Sequence, residues 1–273
     1  MRFHADDLGA SPAITRAVLE CYAAGAIESC SVLVNRQPLE QLDEALAEHP
    51  RLGLTLHLNL SDGHAVSCGA THLCREDGAF HHSFQSLTLA YLFGPRAEIR
   101  AQITAEWRAQ ILLYQQLLAR LGRSPEIRLD SHEHFHFLPF VFESVLELTR
   151  EFPVVSLRLP KRTVYLTHFT KGRLVPALKA AVLTLLGGYL QSRCPAHLER
   201  PTVVLTGTID PFRLDRRQLS TAGQAIFHPG QLPLEEQSLW PPCQRRQLEA
   251  YGAEHRRLEH EALELFAQHI TRP

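Results

Sequence analysis

The sequence lacks a surplus of either charge. Its 273 residues carry 28 Lys and Arg residues against 29 Asp and Glu residues, which gives a formal net charge of -1. A protein that binds nucleic acid or an anionic membrane through its overall electrostatic field usually carries a clear positive excess. We therefore expect no nucleic acid partner and no recruitment to an anionic membrane by overall charge, and we expect a small or uncharged ligand.

Segments that would direct the chain into a membrane are also missing. Residues 1–7 contain no apolar run of the kind that a secretory signal requires. The most apolar stretch, residues 174–190, is shorter than the roughly 20 residues of a membrane-spanning helix and contains Lys179. We predict a buried helix there and no integral membrane segment. The six cysteines form no C-x-x-C pair, so a reducing, cytoplasmic environment is expected.

Linkers and low-complexity runs are absent as well. A hydrophobic content of 45% over 273 residues is enough for one sizeable core. We therefore predict a single domain, residues 1–273. The helix and strand patterns dissolve between residues 62 and 95, and this stretch is predicted to be a lid or substrate loop.

What the sequence does contain is a dense group of potential metal ligands at residues 130–136, which read Asp-Ser-His-Glu-His-Phe-His. As a helix, the stretch would match the zinc-protease pattern H-E-x-x-H, in which two histidines one turn apart share a face. As a strand, it would put four side chains on one face, those of Asp130, His132, His134 and His136. Pro139 would end a helix almost as soon as it began, which favours the strand. A solvated His-rich loop is a third interpretation.

Acidic side chains that could join these histidines follow the first predicted strand. Asp6 and Asp7 follow residues 2–4 after one intervening alanine and precede Gly9, which permits a turn that brings both carboxylates to one site. Their structural alternative is to cap a helix, but Ser11 already occupies the capping position of the first predicted helix. We therefore interpret Asp6 and Asp7 as residues of a functional site.

Further polar side chains lie near the ends of other predicted strands. His57 and Asn59 share the polar face of an alternating strand over residues 53–60. Arg158 ends another strand, where it could hold a carboxylate through two hydrogen bonds. His228 lies where the last predicted strand becomes a loop.

Strand and helix alternate about six or seven times along the chain, which ends in a predicted helix over residues 248–270. Polar residues that follow one strand after another are typical of a parallel (β/α) barrel with its active site at the carboxyl ends of the strands. An open doubly wound sheet would collect its ligands at one switch point instead. We therefore predict an α/β fold, an incomplete and distorted TIM-like barrel of about six or seven parallel strands.

Five motifs in this order resemble those of the YdjC-like carbohydrate deacetylases, a family that includes chitooligosaccharide and hopanoid-glycan deacetylases. They are ADDLG from Ala5, LHLNL from Leu56, DSHxHxH from Asp130, RxP from Arg158 and HPG from His228. The resemblance spans most of the chain. It implies an incomplete (β/α) barrel with one divalent metal ion, acting on a small carbohydrate or glycolipid that carries an N-acetyl group. The family is often dimeric, which makes a homodimer one expected assembly.

The resemblance also assigns roles to residues of this chain. It implies three metal ligands, namely Asp7, His57 and His132. Asp6 would be the general base, Arg158 its orienting partner and His228 the general acid. Four further residues would support the ligands or bind substrate, namely Asn59, Asp130, His134 and His136. Such a ligand set accommodates Mg, Zn, Mn, Ni or Co, so the identity of the ion is left open.

These roles agree with the chemistry of amide hydrolysis. Three protein ligands leave a coordination position open, where a cation lowers the pKa of a bound water. A carboxylate such as Asp6 can take the proton of that water, and His228 can protonate the departing amine. His134 and His136 are the reserve candidates for the acid.

Two features depart from the pattern of the family. Gln224 stands where a glutamate is usual, and the segment 210–228 is short and lacks a helix. The groups that support the acid are therefore expected to differ in this chain. Two other functions stay open: a sugar-binding or metal-binding protein without turnover, and, less favoured, a zinc protease.

Overall fold

The structure of the chain is a computed structural model that describes residues 2–160, 185–205, 224–237 and 245–270. Strands and helices alternate in a single α/β domain, so the predicted α/β class is confirmed. The strands are β1 (Arg2–Leu8), β2 (Ser29–Val32), β3 (Gly53–Leu58), β4 (Ile127–Ser131), β5 (Val154–Leu157), β6 (Leu159–Pro160), β7 (Thr202–Leu205) and β8 (Gln224–Phe227). The helices are α1 (Pro12–Ala23), α2 (Leu39–Ala47), α3 (Phe84–Phe93), α4 (Arg96–Arg120), α5 (Pro139–Glu151), α6 (185–193), α7 (Leu234–Gln237), α8 (Arg245–Tyr251) and α9 (Glu254–Ile270).

The strands form one parallel sheet in the order β5-β4-β3-β2-β1-β8-β7-β6. Each neighbouring pair is parallel. Parallel pairing with helical connections covers the sheet with helices and brings the carboxyl ends of the strands to one edge. Residues that follow different strands are therefore brought together there. The two outermost strands, β5 and β6, are consecutive in the chain, with Arg158 between them.

Helices bury their apolar sides against the sheet. In α1, Ser11 is the N-cap, its hydroxyl accepts a hydrogen bond from Ile14 N (3.2 Å), and Pro12 starts the helix, as predicted. The long helix α4 buries residues at steps of three and four, namely Ile99, Ile103, Trp107, Ile111, Tyr114 and Leu118. Each fully buried large apolar side chain contributes about 1.5–3 kcal/mol to the free energy of unfolding. In the part of the chain described, no helix is both long and apolar enough to span a bilayer.

The end of β1 departs from regular strand geometry. Its register against β2 shifts between Ala5 and Leu8, and Asp7 has a left-handed backbone (φ 71°). Gly9 also has a positive φ (92°), and a Cβ there would lie 2.5 Å from the carbonyl oxygen of Leu33. Because only glycine fits this close approach, the chain can turn directly after the two carboxylates.

The structure corrects the strand predicted over residues 130–136. β4 ends at Ser131, and His132–Phe137 form a 3₁₀-helix in which Glu133 and His134 have left-handed backbones (φ 50° and 60°). Left-handed conformations are strained for residues other than glycine, and the residue types at these positions do not predict them. The prediction that four side chains share one strand face is therefore wrong. The helical zinc-protease geometry is not formed either.

The predicted loop over residues 62–95 also needs a correction, because Phe84–Phe93 form helix α3. Ser83 and Ser86 cap its start reciprocally. The loop ahead of it is held by α4, where Glu106 accepts hydrogen bonds from the backbone nitrogens of Val66 (3.1 Å) and Ser67 (2.8 Å). Two other predictions lie partly outside the described residues. These are the buried helix over residues 174–190, of which residues 174–184 are not described, and the short segment 210–228, of which residues 210–223 are not described.

His136 is locked inside the turn that follows β4. Its Nε2 donates to the carbonyl oxygen of Arg158 (2.7 Å), so its Nδ1 accepts from the hydroxyl of Ser131 (2.5 Å). A neutral imidazole satisfies both contacts, and the side chain is fully buried. Burial lowers the pKa of His136 to about 4. His136 therefore joins β4 to the strand end at Arg158.

This lock predicts a pH-dependent stability. Between pH 6.5 and pH 4 the imidazole of His136 takes up a proton in the unfolded chain but not in the folded one, so the free energy of unfolding should fall as the pH falls. The loss reaches about 3 kcal/mol below pH 4, and none of it is present above pH 6.5. Denaturant unfolding of the wild type and of His136→Gln from pH 4 to pH 8 measures this.

The glutamine side chain can donate and accept at the same places but does not titrate, so the variant should show a flatter curve. His64→Gln, at an exposed position, is the control and should keep the wild-type slope. Equal slopes for the wild type and His136→Gln would contradict the assignment of a neutral, buried His136.

Candidate active site

Polar side chains from β1, β3 and the turn after β4 meet at the carboxyl edge of the sheet. Asp7 lies at the end of β1, His57 lies one residue before the end of β3, and His132 directly follows β4. Asp7 and His57 are buried, and His132 is half-buried. The sequence patterns put Asp7 after one predicted strand and His57 and His132 within two others, and parallel pairing brings the three to one point.

The three side chains present their ligand atoms to one another. Asp7 Oδ1 lies 3.4 Å from His57 Nε2 and 3.0 Å from His132 Nδ1. Donor atoms bound at 2.0–2.1 Å to one tetrahedral ion lie about 3.3 Å apart. The chemistry of the donors and their separations therefore fit a divalent cation.

Asp130 orients one of these donors. It pairs with His57 in the register of β3 and β4, and Asp130 Oδ1 accepts a hydrogen bond from His57 Nδ1 (2.6 Å). Burial disfavours a charge on His57, but the carboxylates of Asp130 and Asp6 outweigh it and raise its pKa to about 10. When Nδ1 carries the proton of a neutral His57, the lone pair of Nε2 is directed toward Asp7, as an imidazole ligand requires.

Asp6 lies beside this triangle in an ion pair of its own. Arg158 Nη1 donates to both oxygens of Asp6 (3.0 and 2.9 Å), and Arg158 Nη2 lies 2.6 Å from Asp130 Oδ2. Burial raises the pKa of Asp6, but Arg158, His57 and His4 together outweigh this and hold the pKa well below its usual range. His4, Asp6 and Asp130 also lie close enough to hold a cation. The guanidinium of Arg158 already bridges the two carboxylates of this second cluster.

His4 is a buried site residue that the sequence prediction missed. Its Nε2 lies 3.3 Å from Asp6 Oδ1 and 2.7 Å from Ser31 Oγ. Gln224 Nε2 donates to His4 Nδ1 (2.7 Å), so the proton of a neutral His4 lies on Nε2 and faces Asp6. Burial lowers the pKa of His4, which favours this neutral form. The position that departs from the family pattern, Gln224, therefore contacts His4.

His228 faces the site from the loop after β8. Its side chain is 30% exposed, and its Nε2 lies 3.9 Å from Asp6 Oδ2. Glu259 of α9 accepts a hydrogen bond from His228 N (2.5 Å), and its carboxylate lies 3.5 Å from His228 Nδ1. Burial lowers the pKa of His228, but the hydrogen bond and charge of Glu259 outweigh it and raise the pKa. Glu259 thus both positions His228 and raises its pKa.

Helix α9 supplies a second buried group that was not predicted. Arg256 Nη1 donates to Asp7 Oδ2 (2.8 Å), and Arg256 Nε donates to the carbonyl oxygen of Gly230 (2.9 Å). The ring of Tyr251 lies parallel to that of His132, with centroids 6.1 Å apart. The predicted helix 248–270 is in fact two helices, α8 and α9. A charged helical pattern near the end of a chain carries no signal that its residues reach a site.

The remaining predicted residues lie at the edge of the site. Asn59 shapes the turn after β3, since its Oδ1 accepts from the backbone nitrogens of Ser61 (3.0 Å) and Asp62 (3.1 Å). The ring of His134 lies parallel to that of Phe137, with centroids 5.2 Å apart. Neither side chain is among the groups that converge on Asp7.

Comparison with known proteins gives the same family as the motifs. The sequence profile of the family described as YdjC-like protein matches residues 1–264. The carbohydrate deacetylase of Brevibacillus brevis is 29% identical over 151 residues, which are 55% of this chain and 56% of that protein. The human carbohydrate deacetylase is 33% identical over 165 residues, which are 57% of this chain and 47% of that protein. The chain spans about half the length of these curated relatives.

A solved structure from Enterococcus faecalis V583, provisionally described as a cellobiose-phosphate cleavage protein, has a similar fold. The similarity covers 97% of this chain and 94% of that one, with a TM-score of 0.58 and 20% sequence identity. At this identity the likeness concerns the fold alone. The profile match over residues 1–264 identifies the sequence family: the chain belongs to the YdjC-like family.

Proposed function

We propose that this protein is a metal-dependent hydrolase that removes an N-acetyl group from an amino sugar or an N-acetylated glycan or glycolipid. The observation that carries the proposal is the convergence of Asp7, His57 and His132 on one point, directly beside the ion pair of Asp6 and Arg158. Curated relatives named carbohydrate deacetylase support the substrate class. A homodimer and a cytoplasmic location stay predictions.

The proposal includes an incomplete, distorted (β/α) barrel with this site at its mouth. Its support is that the outermost strands of the sheet, β5 and β6, are consecutive in the chain. In addition, Leu157 N donates to Glu199 O (3.0 Å) and Glu199 N donates to Val155 O (2.9 Å), which links the approach to β7 with β5. Counted as one segment, β5 and β6 reduce the eight strands of the described residues to seven.

In the proposed site, Asp7, His57 and His132 would hold one divalent ion, with Asp130 keeping His57 in the right tautomer. The ion would supply an electrophile for the acetyl carbonyl oxygen and would make a water more acidic. Two imidazoles and one carboxylate suit zinc but also accept Mg, Mn, Ni or Co.

Asp6 is the proposed general base. Its low pKa keeps it ionised at neutral pH, and the two hydrogen bonds from Arg158 fix the orientation of its carboxylate. Asp6 takes the proton of the attacking water and leaves coordination to Asp7, since Arg158 already occupies both of its oxygens.

His228 is the proposed general acid. Because its pKa is raised, a larger share of its imidazole carries the proton that the departing amine needs. Glu259 holds the backbone of His228 and faces its Nδ1, which directs Nε2 toward Asp6 and the reacting atoms. His136, one reserve candidate for the acid, is enclosed between Ser131 and Arg158 and remains neutral near pH 7.

The role of Asp6 as base can be tested separately from the role of Asp7 as metal ligand. The wild type should release acetate from N-acetylated sugars only with a divalent ion, and Asp6→Asn should lose this turnover while it keeps its bound metal. The reason is that the change removes a proton acceptor and leaves all three ligands in place. A screen of acetylated sugars with each ion, combined with metal analysis, measures both quantities. Asp43→Asn, on α2, is the control and should behave as the wild type.

Three outcomes would contradict parts of this proposal. Loss of bound metal in Asp6→Asn would overturn the division of roles between Asp6 and Asp7. A wild type that binds sugar and metal but releases no acetate would be a binding protein without turnover. Cleavage of casein without acetate release would support the zinc protease.

For His228, the expected effect depends on the leaving group. His228→Ala should reduce kcat on an amide substrate by about 10²–10⁴-fold, the usual range for a general acid, with modest change in KM and full metal occupancy. With an activated aryl ester the loss should be much smaller, because that leaving group needs no proton. Steady-state kinetics on both substrates, with metal analysis of the variant, make the comparison.

Equal losses on the amide and the activated ester would make His228 a binding or structural residue. The acid would then have to be sought elsewhere, with His134 next to be tested. His260→Ala, at a half-buried position on α9, is the control and should change neither rate.

A further inference from the structure

Arg256 is buried against the candidate metal site, yet neither the base nor the acid requires it. The side chain lies in α9 and is 3% exposed. Its guanidinium donates to Asp7 Oδ2 and to the carbonyl oxygen of Gly230, and Cζ lies 5.1 Å from the centre of the Tyr251 ring. Among the residues that the structure describes, buried Arg256 Nη2 has no hydrogen-bond partner. A buried cation directly behind a metal ligand needs an explanation, because it repels the ion.

The contact divides the two oxygens of Asp7 between two tasks. Oδ1 faces His57 and His132, whereas Oδ2 accepts the hydrogen bond from Arg256. A carboxylate with one oxygen engaged in this way offers a single oxygen to a cation. Its charge is also shared with the guanidinium, since charge-assisted hydrogen bonds are short and strong.

We propose that Arg256 is a positioning residue that restricts Asp7 to one-oxygen coordination and draws charge from it. A divalent ion at Asp7, His57 and His132 would then be held less tightly and would remain a stronger electrophile for the acetyl carbonyl. This inference rests on the proposed function and deepens it, because it assigns the tuning of the ion to a residue that does not touch it.

The arrangement of charges distinguishes this role from simple neutralisation. Asp6 and Asp130 share Arg158, but Asp7 has Arg256 as its own guanidinium partner besides two imidazoles. If a bound ion alone neutralised the charge of Asp7, an uncharged side chain would be enough to donate the hydrogen bond to the carbonyl oxygen of Gly230. The positive charge of Arg256 faces Asp7 and therefore lowers the affinity of Asp7, His57 and His132 for a cation.

The test measures zinc affinity and turnover separately. Replacing Arg256 with methionine removes the positive charge and frees Asp7 Oδ2, so the Kd for Zn²⁺ should fall by about tenfold or more. The kcat for deacetylation should fall as well, because a more strongly donating ligand makes a weaker electrophile. Arg256→Lys keeps the charge and should keep the zinc Kd near the wild-type value. Calorimetric or chelator-competition titrations with Zn²⁺ alone give the Kd values.

Matched variants make the result specific. Arg257→Met is the control, because Arg257 is the next residue on α9 and is exposed in pairs with Glu254 and Glu261; both readouts should stay at wild-type values. Asp7→Asn should abolish zinc binding if the proposed site is correct. If Arg256→Met fails to fold by circular dichroism, Arg256→Gln replaces it under the same criteria.

A purely structural role for Arg256 would weaken zinc binding and turnover together. An unchanged or higher zinc Kd in the variant without the charge would therefore overturn the inference. A wild type that binds no zinc, or an Asp7→Asn variant that binds it normally, would instead contradict the proposed function. Tighter zinc binding with slower turnover supports the inference.

Discussion

The burial of carboxylate charge at one end of the sheet is the constraint on which this site depends. Asp6, Asp7 and Asp130 are each at most 2% exposed. A charged carboxylate cannot be removed from water without a partner, because its desolvation costs several kcal/mol. Arg158 and Arg256 meet this cost, and they come from a strand end and a helix far from β1 in the sequence. The neutralisation of these acids thus ties distant parts of the chain to β1.

The left-handed backbone of Asp7 gives two adjacent acids different surroundings. In a regular strand, the side chains of Asp6 and Asp7 would point to opposite faces of the sheet. The register shift and the positive φ let Asp6 meet Arg158 and Asp7 meet the two imidazoles. Such a conformation costs about 1–2 kcal/mol, which the ion pairs around it offset. Strain of this kind is common at functional sites.

The convergence of Asp7, His57 and His132 was implied by the family resemblance, and it agrees with the rule that parallel strands bring their carboxyl ends together. The pairing of Arg158 with a carboxylate followed from its position at a strand end. The path after β4 was not predictable, since Glu133 and His134 adopt left-handed conformations that their residue types do not favour. Consequently, His136 packs inside the turn.

The contacts that α9 makes with the site could not be predicted from the sequence either. Arg256 and Glu259 lie on a strongly charged helix of the kind that is usually solvated, and only the packing of that helix against β1 and the loop after β8 brings them inward. Gln224 was recognised as a departure, but its contact with His4 could not be derived because His4 itself was assigned no role. Local patterns predict the order of strands and helices better than the docking of a helix that is distant in sequence.

The proposed mechanism requires a divalent ion bound at Asp7, His57 and His132. Crystals of the zinc-loaded protein, with anomalous diffraction recorded at the zinc edge, should show one peak about 2.0–2.1 Å from Asp7 Oδ1, His57 Nε2 and His132 Nδ1. A peak held by His132 and His136, or one within the cluster of His4, Asp6 and Asp130, would contradict it.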